Sequence, residues 1–437
     1  MRIEIKDKLN FINMLNQMYS DVNIENINGV TIDSRKVMKN DIFIPIKGEN
    51  YNGHDFIKKA LSKGAICFSE KKINKKNIIH IKSSLNEINT ICKKWKDLSK
   101  AKIIGITGSN GKTTTKDLLY NIFSKKYSCS KTIGNFNSSI GFPISFLSTN
   151  LNDDFCILEY GASKPNEIKK LCEIINPDFS YITNISKAHI ENFSSINELF
   201  NTKMDLYRST KNEGICFINS DNISIANEKI KNTLTYSLKK NYTTIFSKKK
   251  NMCYFKINDE KIYIPLHLNH IYENILAACI ISKNFKIELN DIIDSINKFN
   301  LPVGRGNIID FSDYKLIDDS YNSNPASMIS AIKRINGISI KGKKILIFGD
   351  MLELGEDSIK EHIKIAEAIN QSTIDIVLTF GDISKNIADS ISKSKYSKHY
   401  IEKKKLKIEL NNLICKNDMI YVKGSRGMKL ERIFLNN

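Results

Sequence analysis

The stretch from Lys102 to Leu119, KIIGITGSNGKTTTKDLL, limits the folds open to this chain more than any other feature. Ile103, Ile104 and Ile106 form a short apolar run that reads as a strand, and a helical pattern follows Lys112. Between them Gly108 and Gly111 let a backbone approach an anion closely, and the first N–H groups of the helix point at it. Lys112 can reach the β and γ oxygens of a phosphate chain, and the Thr113 hydroxyl is placed to hold a metal. The spacing is T-G-x-x-G-K-T-T. The general phosphate-loop pattern G-x-x-x-x-G-K asks for glycine where Ile106 stands, whereas the glycines here are Gly105, Gly108 and Gly111.

A chain of 437 residues, 41% of them hydrophobic, has the length for about three domains of ~150 residues and enough apolar content for ordinary cores. No run approaches the ~18 apolar residues of a membrane span, and MRIEIKDKLNF is too charged for the core of a signal peptide, so the expected compartment is the cytoplasm. The nine cysteines form no C-x-x-C pair, and several sit in apolar runs such as FCILE, so they read as reduced core residues. A net charge of +19 raises nucleic acid as a partner. The excess is spread along a chain rich in Lys, Asn and Ile. The lysine runs at 71–76, 248–250 and 403–405 lack interleaved aromatics and read as solvated surface, so no specific nucleic-acid binding is expected.

Residues 1–99 carry apolar runs at GVTIDSRKV (29–37) and DIFIPIKG (41–48) and a helical pattern over HDFIKKALSKGA (54–65) that closes on Gly64. Ser34 and Arg35 stand where a strand turns, a place for a plain turn or an anion contact, and Lys47, Asn52 and His54 are equally open. After the phosphate loop, TIGNFNSSIGFPISFL (132–147) is a polar, glycine-bearing loop able to lie over a ligand. DDFCILEYGASKPNEI (153–168) is a buried strand ending in Glu159, where a magnesium ligand is needed beside a phosphate loop. FSYITNISKAHIENF (179–193) repeats the arrangement and ends near His189. In SINELFNTKMDLYRS, Ile196, Leu199 and Phe200 form an apolar stripe whose next member is Lys203, which points a lysine inward. Two explanations fit: a snorkelling stem, or an amine kept neutral by desolvation and able to take up CO2 as a carbamate near metals. Spacing settles only the inward face.

Little chemistry is legible over 210–265. HLNHIYENILAACIIS (267–282) reads as a helix with His270 and Asn274 on its first turns and Ala277 and Ala278 for close packing. LPVGRG (301–306) marks a boundary, and its Arg305 is able to swing charge onto a nucleotide from a hinge. Beyond it the strands KLIDDS, KKILIFGD, DIVLTFG and MIYVKGS alternate with helical segments and end in Asp318, Asp319, Asp350, Lys423 and Arg426. DSYNSNP places Tyr321, Asn322 and Asn324 before a helix-starting Pro325, and GDMLELGE adds Glu353 and Glu356.

In this order GITGSNGKTTTKDLL, GNFNSSIGFP, EYGASKPNEI, ITNISKAHIENF, DDSYNSNPASM, FGDMLELGE and VKGSRGMKLE resemble the Mur ligases, ATP-dependent amide-forming enzymes of peptidoglycan synthesis, and within them the MurF type. IDSRKV with IKGENYNGHDFI is similar to its UDP-binding first domain. The resemblance implies an α/β fold of three domains: a UDP-substrate-binding domain at 1–99, a central P-loop ATPase-like domain with a mostly parallel sheet at 100–303, and a Rossmann-like domain at 304–437. It implies that Gly108, Ser109, Asn110, Gly111, Lys112, Thr113 and Thr114 cradle ATP, with Asn274, Arg305 and Asp319 as further nucleotide contacts. Thr113 and Glu159 would hold one Mg2+, and His189 with a carbamylated Lys203 a second, so that Lys112, His189 and Lys203 are the catalytic residues. Ser34 and Arg35 would meet the uridine diphosphate. The implied substrates are UDP-N-acetylmuramoyl-tripeptide and D-Ala-D-Ala, joined by a cytoplasmic monomer through an acyl phosphate. Two positions depart from the family pattern: Ile271 follows His270 where the pattern is H-N-x-x-N, and Asn52 replaces a common Asp before GHDF. The competing readings are a relative that adds a single amino acid, such as another Mur-type or a folylpolyglutamate-type ligase, and a basic nucleic-acid-binding ATPase.

Overall fold

The computed structural model describes residues 1–48, 51–237, 245–247, 252–257 and 260–434. The chain folds as three successive α/β units, each on its own mostly parallel sheet. In the first, Arg2–Glu4 pairs antiparallel with Gly29–Thr31, and Asp41–Phe43, Ile66–Ser69 and Ile78–His80 follow in parallel. Asp41 is fully buried, and the Arg2 guanidinium forks onto its two oxygens at 2.7 and 2.8 Å, so the buried charge is paired.

The central sheet is wholly parallel, in the order Thr233–Tyr236, Ile215–Asn219, Phe179–Ile182, Lys102–Thr107, Phe155–Glu159, Cys129–Lys131. Helices cover both faces, which is why the Ile-rich run of Lys102–Thr107 is apolar on both sides. Ile103 faces one core and Ile104 and Ile106 the other, and each contributes about 1.5–3 kcal/mol by burial. The first of these cores is continuous with the first domain through helix Ser84–Leu98, whose Trp95 is fully buried edge-on to Phe11 at 5.1 Å. On the other face helix Tyr272–Asn284 lies against helix Lys112–Phe123, and the buried Ala277 and Ala278 belong to the core these helices share. A small antiparallel sheet of Ile245–Ser247, Met252–Ile257 and Glu260–Pro265 precedes that helix.

The third sheet runs Asn307–Asp310, Tyr314–Asp319, Asp418–Lys423, Lys344–Gly349, Ile376–Phe380, Tyr396–Tyr400, parallel except for its first pair. That antiparallel edge strand has no counterpart in the sequence reading, because its Ile308 and Ile309 are both largely exposed and show no buried alternation.

Several local expectations need correction. The helix expected over 54–65 opens as a tight turn, Gly53–Phe56, and is α-helical only over Ile57–Ser62, before Gly64 turns left-handed at φ +81°. Ile196 is 45% exposed, because it is the first residue of helix Ile196–Arg208 and lies beyond the edge of the core. Cys415 is exposed, unlike the six fully buried cysteines, and the side chain of Cys253 lies outside the described residues. The lysines at 71–76 are solvated, and Lys403 sits 5.0 Å over the Phe380 ring, while 248–250 lies outside the described residues. Among the described residues no helix is long and apolar enough to cross a membrane.

Candidate nucleotide-binding site

Strand Lys102–Thr107 lies between Phe155–Glu159 and Phe179–Ile182, so the loop at its carboxyl end, Gly108 to Gly111, is flanked by two further strand ends. This is where open parallel sheets bind ligands. Gly108 (φ +141°) and Gly111 (φ +81°) both take left-handed backbone, and a Cβ at either would strike the Thr183 hydroxyl or the Asn274 amide respectively. Only glycine fits. The loop is pinned from the side by residues 183–186: Thr183 Oγ1 donates to Asn110 O at 2.6 Å, Ser109 N donates to Asn184 O at 2.8 Å, and Ser109 Oγ donates to Ser186 O at 2.8 Å. Asn274 Nδ2 donates to Thr115 Oγ1 at 2.9 Å, which fixes helix Tyr272–Asn284 against the first turn of helix Lys112–Phe123. Ile271, one of the two departures, turns its apolar side chain into that interhelix core. Asn52, the other, caps the turn Gly53–Phe56 by accepting from His54 N, a role a carboxylate would share.

Lys112 folds back so that its Nζ donates to Gly108 O at 2.7 Å and Ser109 O at 3.2 Å, and burial pushes its pKa down from the ordinary lysine value. Glu159 is 1% exposed. Its Oε1 accepts from Asn137 Nδ2 at 2.6 Å, whereas Oε2 has no hydrogen-bond partner among the described residues and lies 4.0 Å from Lys116 Nζ. A buried carboxylate oxygen left unpaired is costly, so this atom fits a cation ligand. Lys116, which sequence reasoning missed, donates to Thr132 O at 2.9 Å and Gly134 O at 2.7 Å and so ties down the loop that carries Asn137. Its position one helical turn after Lys112 was the available signal.

Lys203 is 2% exposed. Burial first, and the neighbouring Lys112 charge second, bring its amine down to about 7, and its nearest acceptor is Gly108 O at 3.4 Å. Lys203 and His189, the residues expected to hold a second ion, have different partners in this structure. His189 lies in left-handed backbone (φ 58°) at the cleft, with Nδ1 against Glu353 Oε2 of the third domain, and this contact holds the Glu353 carboxyl below its ordinary range. Among the described residues no three His, Cys, Asp or Glu side chains gather as a metal site.

The third domain closes over the loop at several points. Asn324 caps helix Pro325–Gly337 through Ser327 N at 2.9 Å, and its Nδ2 donates to Asn110 Oδ1 at 2.8 Å. Lys187 reaches Asp357 at 2.8 Å and Glu361 at 3.1 Å. Asn324→Ala removes the cap and the bridge together, and we expect it to cost about 1–2 kcal/mol in chemical denaturation. An unchanged unfolding midpoint would show that neither contact carries stability. The result of closure is a cleft of about 2060 Å³ lined by Ser109 to Thr114, Glu159, His189, Asn274, Arg305 and Asp319, among others. Arg305 stacks 3.8 Å over the Tyr321 ring. Asp319 Oδ2 accepts from Lys423 Nζ at 2.7 Å and Tyr421 OH at 3.0 Å. Asp350, another strand-end carboxylate, is occupied within its own domain by Ser384 N at 2.7 Å. Ser34 and Arg35 do not line the cleft; they lie in the first domain, where the exposed Arg35 guanidinium is forked on Asp33.

Three family profiles cover the chain in sequence: the Mur ligase family catalytic domain at 26–99, the Mur ligase middle domain at 106–282 and the Mur ligase glutamate ligase domain at 304–426. The UDP-N-acetylmuramoyl-tripeptide–D-alanyl-D-alanine ligase of Bacillus subtilis is 32% identical across 93% of this chain and 92% of its own length. The ligase of the same name from Buchnera aphidicola subsp. Baizongia pistaciae is 34% identical across 95% and 93%. The crystal structure of MurF ligase from Thermotoga maritima in complex with ADP superposes with a TM-score of 0.82 at 27% identity, covering 93% of this chain and 96% of that one.

Proposed function

The chain belongs to the Mur ligase family, and on that premise we propose that it joins D-Ala-D-Ala to UDP-N-acetylmuramoyl-tripeptide at the expense of ATP. The observation that carries the proposal is the cleft in which a glycine-turned phosphate loop, a Glu159 oxygen with no hydrogen-bond partner among the described residues and the third domain's Arg305 and Asp319 face one space. The tripeptide's terminal carboxylate attacks the γ-phosphorus and ADP leaves. The amine of D-Ala-D-Ala then attacks the acyl phosphate carbon, and phosphate departs with formation of the amide. Each step brings anions together or develops charge on oxygen, so fixed positive groups lower the barrier.

We assign the loop Gly108 to Thr114 to the phosphates, with Lys112 as the cation that meets the transferring phosphoryl group. Asn274, Arg305 and Asp319 are assigned to the nucleotide, and Ser34 and Arg35 to the uridine diphosphate in the first domain. Thr113 and Glu159 would hold one Mg2+, with His189 and a carbamylated Lys203 for a second. These ions would neutralise phosphate charge and polarise the phosphoryl oxygens. The His189 assignment requires its contact with Glu353 to rearrange on loading. Closure by Asn324 and Lys187 excludes the water that would hydrolyse the acyl phosphate. We divide the domains at 99/100 and 303/304 and place the enzyme, as a monomer, in the cytoplasm.

The assay is ADP release from ATP with the UDP-linked tripeptide, supplied with a third residue of either diaminopimelate or lysine. Turnover is expected only when D-Ala-D-Ala is added. Turnover with glutamate or meso-diaminopimelate alone would reject the assignment in favour of a single-amino-acid ligase.

A further inference from the structure

The lysine run at 403–405 belongs to a surface that no assigned role uses. Helix Lys403–Leu413 packs against the outer strands of the third sheet through the buried Leu406 and Leu410. At about 100° per residue, Lys404 and Ile408 stand on the face opposite those leucines, with Lys405 and Lys407 on its two flanks. Ile408 is 63% exposed, and Ile401, just before the helix, is 69% exposed. Neighbouring Tyr396 is exposed too and donates its hydroxyl to Glu409. The carboxylates of this surface are already paired, Glu402 with Lys405 and Glu409 with Lys398 at 2.7 Å each, and Glu431 with Arg426 at 3.2 Å. Lys404, Lys407, Lys429 and Arg432 form no ion pair among the described residues, so positive charge is left over. The turn Leu430–Ile433 packs on the same helix. After burial, the Arg432 and Lys429 charges help push the Lys403 amine below its ordinary value, against the pull of Glu431, so these cations stand close together. Residues 393–432 hold twelve Lys and Arg against four Asp and Glu, while the whole chain holds 66 against 47, so the basic excess concentrates here. The edge strand Tyr396–Tyr400 is at the opposite end of the sheet from Asn307–Asp310, whose Ile308 and Asp310 line the cleft, and a partner at this edge leaves the cleft open.

We propose that this surface docks the protein on an anionic lipid bilayer, with Ile401 and Ile408 entering the boundary between headgroups and acyl chains and Lys404, Lys407, Lys429 and Arg432 meeting lipid phosphates. Exposed apolar side chains flanked by basic ones are the pattern of an element that lies in a membrane interface, and no helix among the described residues is long and apolar enough to cross one. The aliphatic pair favours lipid over nucleic acid, because single strands stack their bases on aromatic rings and the apolar groups at the centre of this face are isoleucines. The cytoplasmic leaflet carries the anionic lipid that such a surface attracts. The inference goes beyond the ligase reading and does not rest on it.

The test floats the full chain with vesicles of phosphatidylcholine alone and of equimolar phosphatidylcholine and phosphatidylglycerol, at about 0.1 M salt. Wild type is expected to float with the anionic vesicles only, and less so as salt is added. Ile401→Ser/Ile408→Ser keeps the net charge and is expected to lower the partition about tenfold. Lys404→Glu/Lys407→Glu is expected to lower it about tenfold or more. Lys71→Glu/Lys72→Glu changes the net charge equally at a solvated run of the first domain, and is expected to change the partition by less than about twofold. All three variants should melt with wild type, since the replaced side chains are at the surface. Should the Lys71 and Lys72 pair matter as much as Lys404 and Lys407, or the isoleucine variant float like wild type, the attraction is that of diffuse net charge and the docking surface falls. It falls equally if wild type ignores the anionic vesicles, floats with both kinds alike, or leaves the vesicles for polyuridylate RNA when the two compete.

Discussion

Lys203→Ala is expected to lower ligation by about 10²–10³-fold or more, with partial recovery when bicarbonate or a small carboxylate is supplied. The chain spends stability to hold this amine where it is. Lys203 is 2% exposed on helix Ile196–Arg208, where it is buried together with Leu199, Thr202, Met204, Leu206 and Tyr207, and among the described residues its only hydrogen bond is a long one to Gly108 O. With the amine near pH 7 rather than the ordinary ~10.4, a large fraction is unprotonated at neutral pH and nucleophilic toward CO2. Carbamylation changes the sign of its charge and yields a carboxylate-like ligand that Lys112 attracts.

The same shift fixes a stability signature in the protein free of nucleotide and metal. Between about pH 7 and ~10.4 the unfolded lysine holds a proton that the folded one has lost, so unfolding takes up protons and stability rises with pH across that window. Below pH 7 both states are protonated and the full cost of burying the charge is felt. Lys203→Met, of similar length and without charge, should therefore be inactive yet melt at a higher temperature than wild type at neutral pH, and lack this slope. A methionine variant that melts lower, or an untreated alanine variant with full activity, would remove the carbamate assignment.

What could be read beforehand follows from how local each constraint is. The phosphate loop is legible because glycine turns and the lysine after them are dictated within a few residues, and the backbone at Gly108 and Gly111 has the left-handed φ those glycines suggest. The inward face of Lys203 is legible from helical period alone, while Ile196 at the helix start is exposed because period does not say where a core ends. The contacts that close the cleft are different in kind. Asn110 meets Asn324 across 214 positions and Lys187 meets Asp357 across 170, and no spacing rule encodes either. The His189–Glu353 contact likewise needs two left-handed residues from separate domains to meet. Lys116 escaped notice because a lysine on a helix defaults to solvent, and only the Thr132 and Gly134 carbonyls reveal its use.

Lys112→Met should lower kcat by about 10²–10³-fold, while ADP still binds through the loop N–H groups at the helix start. The separation is expected because Lys112 is not needed to shape the loop: Gly108 and Gly111 do that, with Thr183 and Asn184 as lateral ties. Its amine donates to Gly108 O and Ser109 O, and in the role proposed for it the amine would swing onto the phosphoryl oxygens, where its charge would count most as the bond to ADP breaks. Steady-state ADP release paired with calorimetric ADP titration reads the two effects separately. Unchanged kcat would end the assignment of Lys112 to the transferring phosphate. The substitution also reports on Lys203, since the Lys112 charge is the second cause of its lowered pKa. Removing that charge moves the Lys203 amine back toward the ordinary lysine value. The lower edge of the pH window in which stability rises should then shift upward in Lys112→Met. An edge that stays near pH 7 would mean that burial alone sets the Lys203 amine and that the two lysines do not sense one another.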